Sequence, residues 1–330
     1  MYYTFMLAAR IHSPGGIEYL KLDKIEEPEM NDGEILVKVK LAGFNPLEYN
    51  LINGKVVYSV KPFPHIPGSE ILGEVLNDGK TVKKGDRVII YNRIFDGNCD
   101  LCLSGRENLC YNGGLWGVMT NGGLTEKILI NEKNIVKIPD SIPDDIAVSI
   151  PIGALTAYHA LRKANASAGK SILIYGASGN TGIFAAQIAR IMGLRVYGVS
   201  RKTWVKDYGV LKTFLMDEIP EAMSFDIVVN SLGSSFWQSS ISHVKQGGSL
   251  VSFGVLTGKE TNLDIATLYT REIQIVGSTG GTRNDLMELL KIMDTNQFRV
   301  PVAKKFKLEQ IREAIAYYET VRDGRVLIEI

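Results

Sequence analysis

The stretch Ser171-Ile-Leu-Ile-Tyr175-Gly176-Ala-Ser-Gly179-Asn-Thr-Gly182 joins a short apolar run to a glycine-rich turn, and the helical run Ile183 to Met192 follows at once. Apolar runs typical of strands recur after it, with helical stretches between several of them, at residues 195–199, 226–230, 249–253 and 273–276. Strands that alternate with helices indicate a parallel, doubly wound sheet. The chain after Ala147 therefore predicts an α/β domain.

The glycine turn itself predicts a dinucleotide site. Gly179 and Gly182 lie where the backbone must approach a pyrophosphate, and the amides and dipole at a helix N-terminus favour an anion there. Ala177 stands in place of the usual first glycine, and a purely structural turn is the alternative, but the flanking strand and helix favour the dinucleotide. We assign the following residues to cofactor binding: Thr156, Gly179, Asn180, Thr181, Gly182, Leu232 and Phe253.

The next strand ends in Ser200-Arg201-Lys202, where an enzyme that uses NAD would present a carboxylate to the ribose hydroxyls. Two cations and a hydroxyl suit a 2′-phosphate instead. We therefore expect these three residues to bind the cofactor and NADPH to be preferred over NADH. The alternative is that Arg201 and Lys202 form the solvated start of a helix.

The first 145 residues have a different pattern. Residues 34–41 alternate apolar with polar, which predicts a half-buried strand, and short runs at 71–75, 87–91 and 127–130 predict further strands between loops. Near the C-terminus, Thr282 and Asp285 predict a capped helix, and residues 325–330 predict a last strand. The first 145 residues are thus expected to be mainly β.

Composition excludes several classes of partner. With 330 residues, 45% of them hydrophobic, the chain can bury a large core, and its length is typical of two domains. A formal net charge of +1 argues against nucleic acid or an anionic membrane as the main partner. No basic leader precedes the first apolar residues, and no stretch of about 18 apolar residues follows. We expect a cytoplasmic enzyme.

All three cysteines, Cys99, Cys102 and Cys110, lie close together, and Asp96 precedes the first of them by three positions. Zinc favours four tetrahedral N, S or O ligands, so these four residues predict a metal site. A redox-active or coincidental Cys-x-x-Cys is the alternative, but it leaves the third cysteine unexplained.

Together these motifs resemble the medium-chain dehydrogenase/reductase superfamily, the relatives of zinc alcohol dehydrogenase and quinone reductase. The resemblance covers nearly the whole chain, including Lys84-Gly85-Asp86-Arg87-Val88, Leu155-Thr156-Ala157-Tyr158 and Gly280-Gly281-Thr282-Arg283-Asn284-Asp285-Leu286. It implies a mainly β GroES-like catalytic domain, residues 1–147 and 295–330, and an inserted Rossmann NADP-binding domain, residues 148–294. It also implies one structural Zn²⁺ per chain in a lobe at about residues 92–114, and a homodimer or homotetramer joined at the sheet edge near Ile273 to Val276.

In zinc-dependent relatives a catalytic zinc is held at positions that here carry Asn45, Ser69 and about Ile152, none of which suits that metal; only Glu70 remains. The motifs Gly43-Phe44-Asn45-Pro46-Leu47-Glu48 and Pro67-Gly68-Ser69-Glu70 resemble the zinc-free quinone reductase and enoyl reductase branch. That resemblance implies hydride transfer from NADPH to a small conjugated carbonyl compound, an enoyl thioester or a quinone.

In this hypothesis Asn45 hydrogen-bonds the substrate carbonyl or the ribose, while Tyr49 and Ser69 line the pocket or relay a proton. For Tyr49 the alternative is a packed aromatic with its hydroxyl at the surface. Two other functions remain open, namely a zinc-dependent alcohol dehydrogenase with atypical ligands and a dinucleotide-binding protein with little or no turnover.

Overall fold

The computed structural model describes residues 4–30, 33–56, 58–321 and 323–330. The first three residues of the N-terminal segment, for which no leader is predicted, lie outside the described residues. Contacts divide the chain into two units. One comprises the described residues up to Ile152 together with Thr282–Ile330, and the other comprises Gly153–Gly281.

The secondary structure elements are numbered in chain order. The strands are β1 (Phe5–Ile11), β2 (Leu20–Glu26), β3 (Glu34–Phe44), β4 (Glu70–Val75), β5 (Arg87–Ile90), β6 (Arg93–Ile94), β7 (Gly114–Leu115), β8 (Lys127–Asn131), β9 (Ile135–Lys137), β10 (Ser171–Tyr175), β11 (Arg195–Val199), β12 (Lys212–Phe214), β13 (Phe225–Asn230), β14 (Val244–Ser252), β15 (Gln274–Gly277), β16 (Val302–Lys307) and β17 (Arg325–Glu329). The helices are α1 (Pro46–Ile52), α2 (Asp100–Leu103), α3 (Asp144–Ala147), α4 (Leu155–Lys163), α5 (Asn180–Ile191), α6 (Trp237–Ser242), α7 (Ile265–Thr270), α8 (Arg283–Thr295) and α9 (Ile311–Thr320).

The first unit is mainly β, as predicted. Its largest sheet has the order β16-β17-β3-β4-β5-β9, and β8 also pairs with β3. In β3 the alternation has the predicted effect, since Val37 and Val39 are buried while Lys38 and Lys40 are exposed. Strand β17, from the other end of the chain, lies antiparallel to β3 with Val326 opposite Phe44. This pairing brings Arg325 beside the segment that begins α1.

The second unit contains the predicted doubly wound sheet. Its six parallel strands have the order β12-β11-β10-β13-β14-β15. Buried apolar residues of β10, β13 and β14 contribute to its core. The α/β class and the Rossmann arrangement are therefore confirmed. Helix α5 begins at Asn180, three residues before the predicted helical run, because Gly179 already has the extended backbone of an N-cap.

The contacts divide the chain at 152/153 and 281/282, whereas the predicted boundaries were 147/148 and 294/295. Helix α8 accounts for most of the difference. The Arg283 amide donates to the carboxylate of Glu107, and the Ser141 hydroxyl donates to Asp294 at 2.5 Å. Both ends of α8 are thus bonded to residues of the β-rich unit, with which the helix is grouped.

Within the described part of the chain, no helix combines the length and apolar character needed to cross a membrane.

Candidate active site

The carboxyl group of Glu48 joins the two segments that carry the predicted catalytic residues. Glu48 lies in the first turn of α1, which Asn45 caps. Its Oε2 accepts the backbone N–H of Asn45 at 2.9 Å, and its Oε1 accepts the backbone N–H of Ser69 at 3.0 Å. One buried side chain therefore fixes the backbone at both positions.

A second set of bonds fixes the side chain of Asn45. Arg325 Nη1 donates to Asn45 Oδ1 at 2.6 Å, and Asn45 Nδ2 donates to Glu70 Oε2 at 2.9 Å. Arg325 Nη2 also donates to Glu70 Oε2, which makes an ion pair between side chains that are 5% and 0% exposed. Glycine at position 43 leaves the space in which this pair lies, because an added Cβ would overlap both the Glu70 carboxylate and the Arg325 guanidinium and would force them to shift.

The charges in this network do not cancel when every group is ionised, since it contains the carboxyl groups of Glu48 and Glu70 but one guanidinium, that of Arg325. Loss of solvent, followed by repulsion from Glu70, raises the pKa of Glu48 from 4.5 to about 7, although the amides of Ser69 and Asn45 oppose the shift. A buried carboxyl that titrates near neutral pH can hold a proton or release one.

The other predicted catalytic side chains have different surroundings. Ser69 is 1% exposed, and its hydroxyl has no hydrogen-bond partner among the described residues. The Tyr49 hydroxyl donates to the exposed carboxylate of Glu319 at 3.0 Å, and its ring lies 5.8 Å from that of Tyr318. That is the contact expected of a packed aromatic, so a catalytic role for Tyr49 stays a prediction. Buried His65 bonds the Gly117 carbonyl at 3.0 Å.

Sequence reasoning missed Glu48 as a central group and missed Arg325 altogether. A signal was present, because Glu48 and Glu70 both lie beside apolar residues and a buried carboxylate needs a partner. The sequence does not reveal which of the 37 lysines and arginines supplies the partner.

In the second unit, the dinucleotide turn contains a feature that explains Ala177. Gly176, not residue 177, has the left-handed backbone, with φ +78°. An added Cβ at Gly182 would overlap the Gly176 carbonyl oxygen, so the turn lies tightly on the start of α5. Gly179 is exposed at the N-terminus of that helix. This cradle fits a pyrophosphate.

Further predicted cofactor positions lie at or near strand ends of the same unit. An added Cβ at Gly176 would lie 3.0 Å from the Leu232 side chain, which follows β13. The Phe253 amide after β14 faces the Asn230 carbonyl at 3.4 Å, and Asn230 Oδ1 accepts the Leu232 amide at 2.9 Å. Asn230, which sequence reasoning did not single out, therefore shapes this edge.

The basic strand end is ordered by a local bond. Ser200 Oγ accepts the Lys202 amide at 3.0 Å, and the Arg201 between them is exposed. Thr156, the remaining predicted cofactor residue, is half-buried in α4.

The cysteine lobe brings together all four predicted ligands. Single donor atoms of Asp96, Cys99, Cys102 and Cys110 lie within 4.8 Å of one another. The Asp96 amide donates to Cys110 Sγ at 3.4 Å, and the amides of Cys102 and Tyr111 donate to Cys99 Sγ. Such N–H donors stabilise anionic sulfur, so a carboxylate and three thiolates in this arrangement fit the ligand set of zinc.

Comparisons with known proteins support the fold and show the family. Residues 31–140 match the family model described as alcohol dehydrogenase GroES-like domain, and residues 181–295 match that of zinc-binding dehydrogenase. A thermostable alcohol dehydrogenase from Pyrobaculum aerophilum is 36% identical, with a TM-score of 0.92 over 99% of this chain and 100% of that one. The chain belongs to the medium-chain dehydrogenase/reductase superfamily.

Two other relatives in this superfamily differ in their reactions. The acryloyl-coenzyme A reductase of Metallosphaera sedula is 28% identical over 92% of this chain and 95% of its own length. An alcohol dehydrogenase of Geobacillus stearothermophilus is 30% identical over 94% of this chain and 96% of its own length. The chain is thus an NAD(P)H-dependent oxidoreductase, and the relatives leave two substrate classes open.

Removal of the buried guanidinium should be strongly destabilising. In an Arg325→Met variant Glu70 loses its buried counter-ion, so the free energy of unfolding should fall by about 3–5 kcal/mol in urea denaturation. The matched control is Lys40→Met, which breaks the exposed pair of Lys40 and Glu74 at 2.8 Å and should leave the free energy of unfolding nearly unchanged. An additional Glu70→Gln change should restore most of the loss. Equal effects of the two single variants would contradict the assignment.

The raised pKa of Glu48 predicts a pH dependence of stability. Because the folded state holds this proton more tightly, its contribution is complete below pH 4.5 and is lost as the pH rises through about 7. Relative to Glu48→Gln, the wild type should therefore lose up to about 3 kcal/mol of unfolding free energy over this window. Urea denaturation of both proteins at matched pH values measures the difference. A constant difference would show that Glu48 does not titrate there.

Proposed function

We propose that the protein is an NADPH-dependent reductase that transfers hydride to an activated C=C bond, in an α,β-unsaturated carbonyl compound or an enoyl thioester, or to a quinone, without catalytic zinc. The observation that carries this proposal is the pairing of Glu70 with Arg325. Asn45 and Ser69 are not zinc ligands, and the one carboxylate left at these positions already binds a guanidinium.

NADPH, when bound, supplies the hydride. The side chains of the candidate active site then have to stabilise negative charge on the substrate oxygen and supply a proton. In our proposal Asn45, whose amide is oriented by Arg325 and Glu70, hydrogen-bonds the carbonyl or the ribose. The hydroxyls of Ser69 and Tyr49 line the pocket or relay the proton that completes the reduction. Conjugation already activates the substrate, so this chemistry needs no Lewis acid.

The basic strand end supports NADPH rather than NADH. Arg201 is exposed directly after β11, and Ser200 and Lys202 are held together by the hydroxyl-to-amide bond. We propose that these residues receive the 2′-phosphate, and that the turn from Gly179 to Gly182 receives the pyrophosphate, with Thr156, Leu232 and Phe253 around the rest of the cofactor.

The metal belongs, in our proposal, to the lobe alone. Asp96, Cys99, Cys102 and Cys110 would hold one Zn²⁺ with no open position, so the ion would stabilise the lobe and perform no chemistry. The structure of the Pyrobaculum protein with bound cobalt and zinc supports a place for such metals in this superfamily.

We also propose a homodimer or homotetramer joined by a second copy at β15. This strand is the last one of its sheet in the described part of the chain, and Ile275 on it is 37% exposed. Ile265 and Tyr269, on the helix that leads to this strand, are 70% and 69% exposed. An unpaired strand edge bordered by apolar side chains favours pairing with another copy.

The second candidate is a zinc-dependent alcohol dehydrogenase, favoured by the identity of 36% with the Pyrobaculum enzyme. It requires a second metal held by ligands other than Asn45 and Ser69. The third, a dinucleotide-binding protein with little turnover, predicts tight NADPH binding alone.

Metal content and a substrate panel distinguish these functions. We expect one zinc per chain by elemental analysis, and oxidation of NADPH with at least one compound among enones, enoyl thioesters and quinones. The control is NADP⁺ with simple alcohols, which should not turn over. Two zinc ions with alcohol oxidation would overturn the proposal in favour of the dehydrogenase, and tight NADPH binding without turnover would favour the third candidate.

Cofactor preference is tested at Arg201. Loss of one charge-assisted bond to the 2′-phosphate should raise the KM for NADPH by about tenfold or more in Arg201→Ala and leave the KM for NADH unchanged. Lys206→Ala is the matched control, because Lys206 is also an exposed cation but lies farther from the strand end. Wild-type kinetics that favour NADH would disprove the preference.

A further inference from the structure

The lobe differs from a four-cysteine site in its first ligand, Asp96, and this carboxylate is held from two sides. Its Oδ1 accepts the backbone N–H of Asn98 at 2.8 Å and that of Cys99 at 3.1 Å. Its Oδ2 accepts the side-chain N–H of Asn112 at 2.8 Å. These bonds hold the pKa of Asp96 well below its usual range, the Asn98 amide most strongly.

The three bonds act on the carboxylate in different ways. The two backbone donors belong to the loop itself and would be present with any residue except proline at positions 98 and 99. Asn112, two residues beyond Cys110, supplies a side-chain donor that, unlike the Cys102 thiol, does not belong to a proposed metal ligand. Because it binds the other oxygen, it opposes rotation of the carboxylate about the Cβ–Cγ bond, a torsion with broad and shallow preferences in aspartate.

A thiolate would not need this bond. Cysteine offers a single sulfur whose position is set by one torsion, whereas aspartate offers two oxygens and one torsion more. Residues that hydrogen-bond a ligating carboxylate orient it and tune metal affinity. The aspartate in the ligand set thus creates a requirement that the cysteine set lacks.

We propose that Asn112 is a positioning residue of the metal site, which holds Asp96 in the orientation that binds zinc, and that its contribution exists only because the first ligand is a carboxylate. The inference rests on the metal site proposed above for Asp96, Cys99, Cys102 and Cys110. Asn112 does not bind the metal itself. It is exposed, so its removal should leave the fold intact.

The test measures zinc affinity of the full chain by competition with a chromophoric chelator. Asn112→Ala should bind Zn²⁺ about 10- to 100-fold more weakly than the wild type. The matched control is Asn98→Ala, because Asn98 is an exposed asparagine of the same lobe that contacts Asp96 through its backbone N–H, which alanine retains. This control should bind zinc as the wild type does.

A double-variant comparison separates positioning from a general effect on the loop. When Asp96→Cys supplies a fourth thiolate, the additional Asn112→Ala change should leave the affinity unchanged. An equal loss in both backgrounds, or no loss in the native background, would overturn the proposal. If the wild-type chain bound no zinc, the metal site itself would be disproved, and that result is distinct from both of the others.

Discussion

The buried ion pair between Arg325 and Glu70 is the interaction on which the arrangement of the first unit depends. It joins the last strand to the strands that carry Gly43 and Glu70, and it orients the amide of Asn45. A charge pair removed from water is stable only when its geometry is good and its partners are hydrogen-bonded. Here the Asn45 amide bonds both partners, while Arg325 Nε has no partner among the described residues. The glycine at position 43 leaves the space in which the pair lies.

The same network limits the chemistry of the site. Zinc needs anionic or imidazole ligands, whereas these positions present an amide, a hydroxyl and a carboxylate already bound to a cation. What the network offers instead is fixed hydrogen-bond geometry and, in Glu48, a carboxyl whose proton is held near neutral pH. A reductase that acts on an already activated substrate needs oriented hydrogen-bond donors and a group that can exchange a proton, so these features support the function proposed here.

The candidate sites of the two units are held in place by different kinds of contact. In the Rossmann unit, the turn relies on backbone, with Gly176 in the left-handed conformation and Gly182 against the Gly176 carbonyl. In the β-rich unit, the candidate site relies on side chains from distant parts of the chain. The first arrangement leaves a local signal in sequence, and the second leaves none that identifies the partners.

Strand periodicity, a glycine turn and the Cys spacing are local patterns, so the sequence was sufficient to predict the parallel sheet, the β-rich remainder, the candidate dinucleotide turn and the cluster of four candidate metal ligands. Four features became visible only in the folded chain: α8 belongs with the β-rich unit, Arg325 neutralises Glu70, Glu48 joins Asn45 to Ser69, and Asn112 bonds Asp96. The physical reason is that a buried charge requires a partner but does not specify one. The choice among many cations and donors is made when strands far apart in the chain pair.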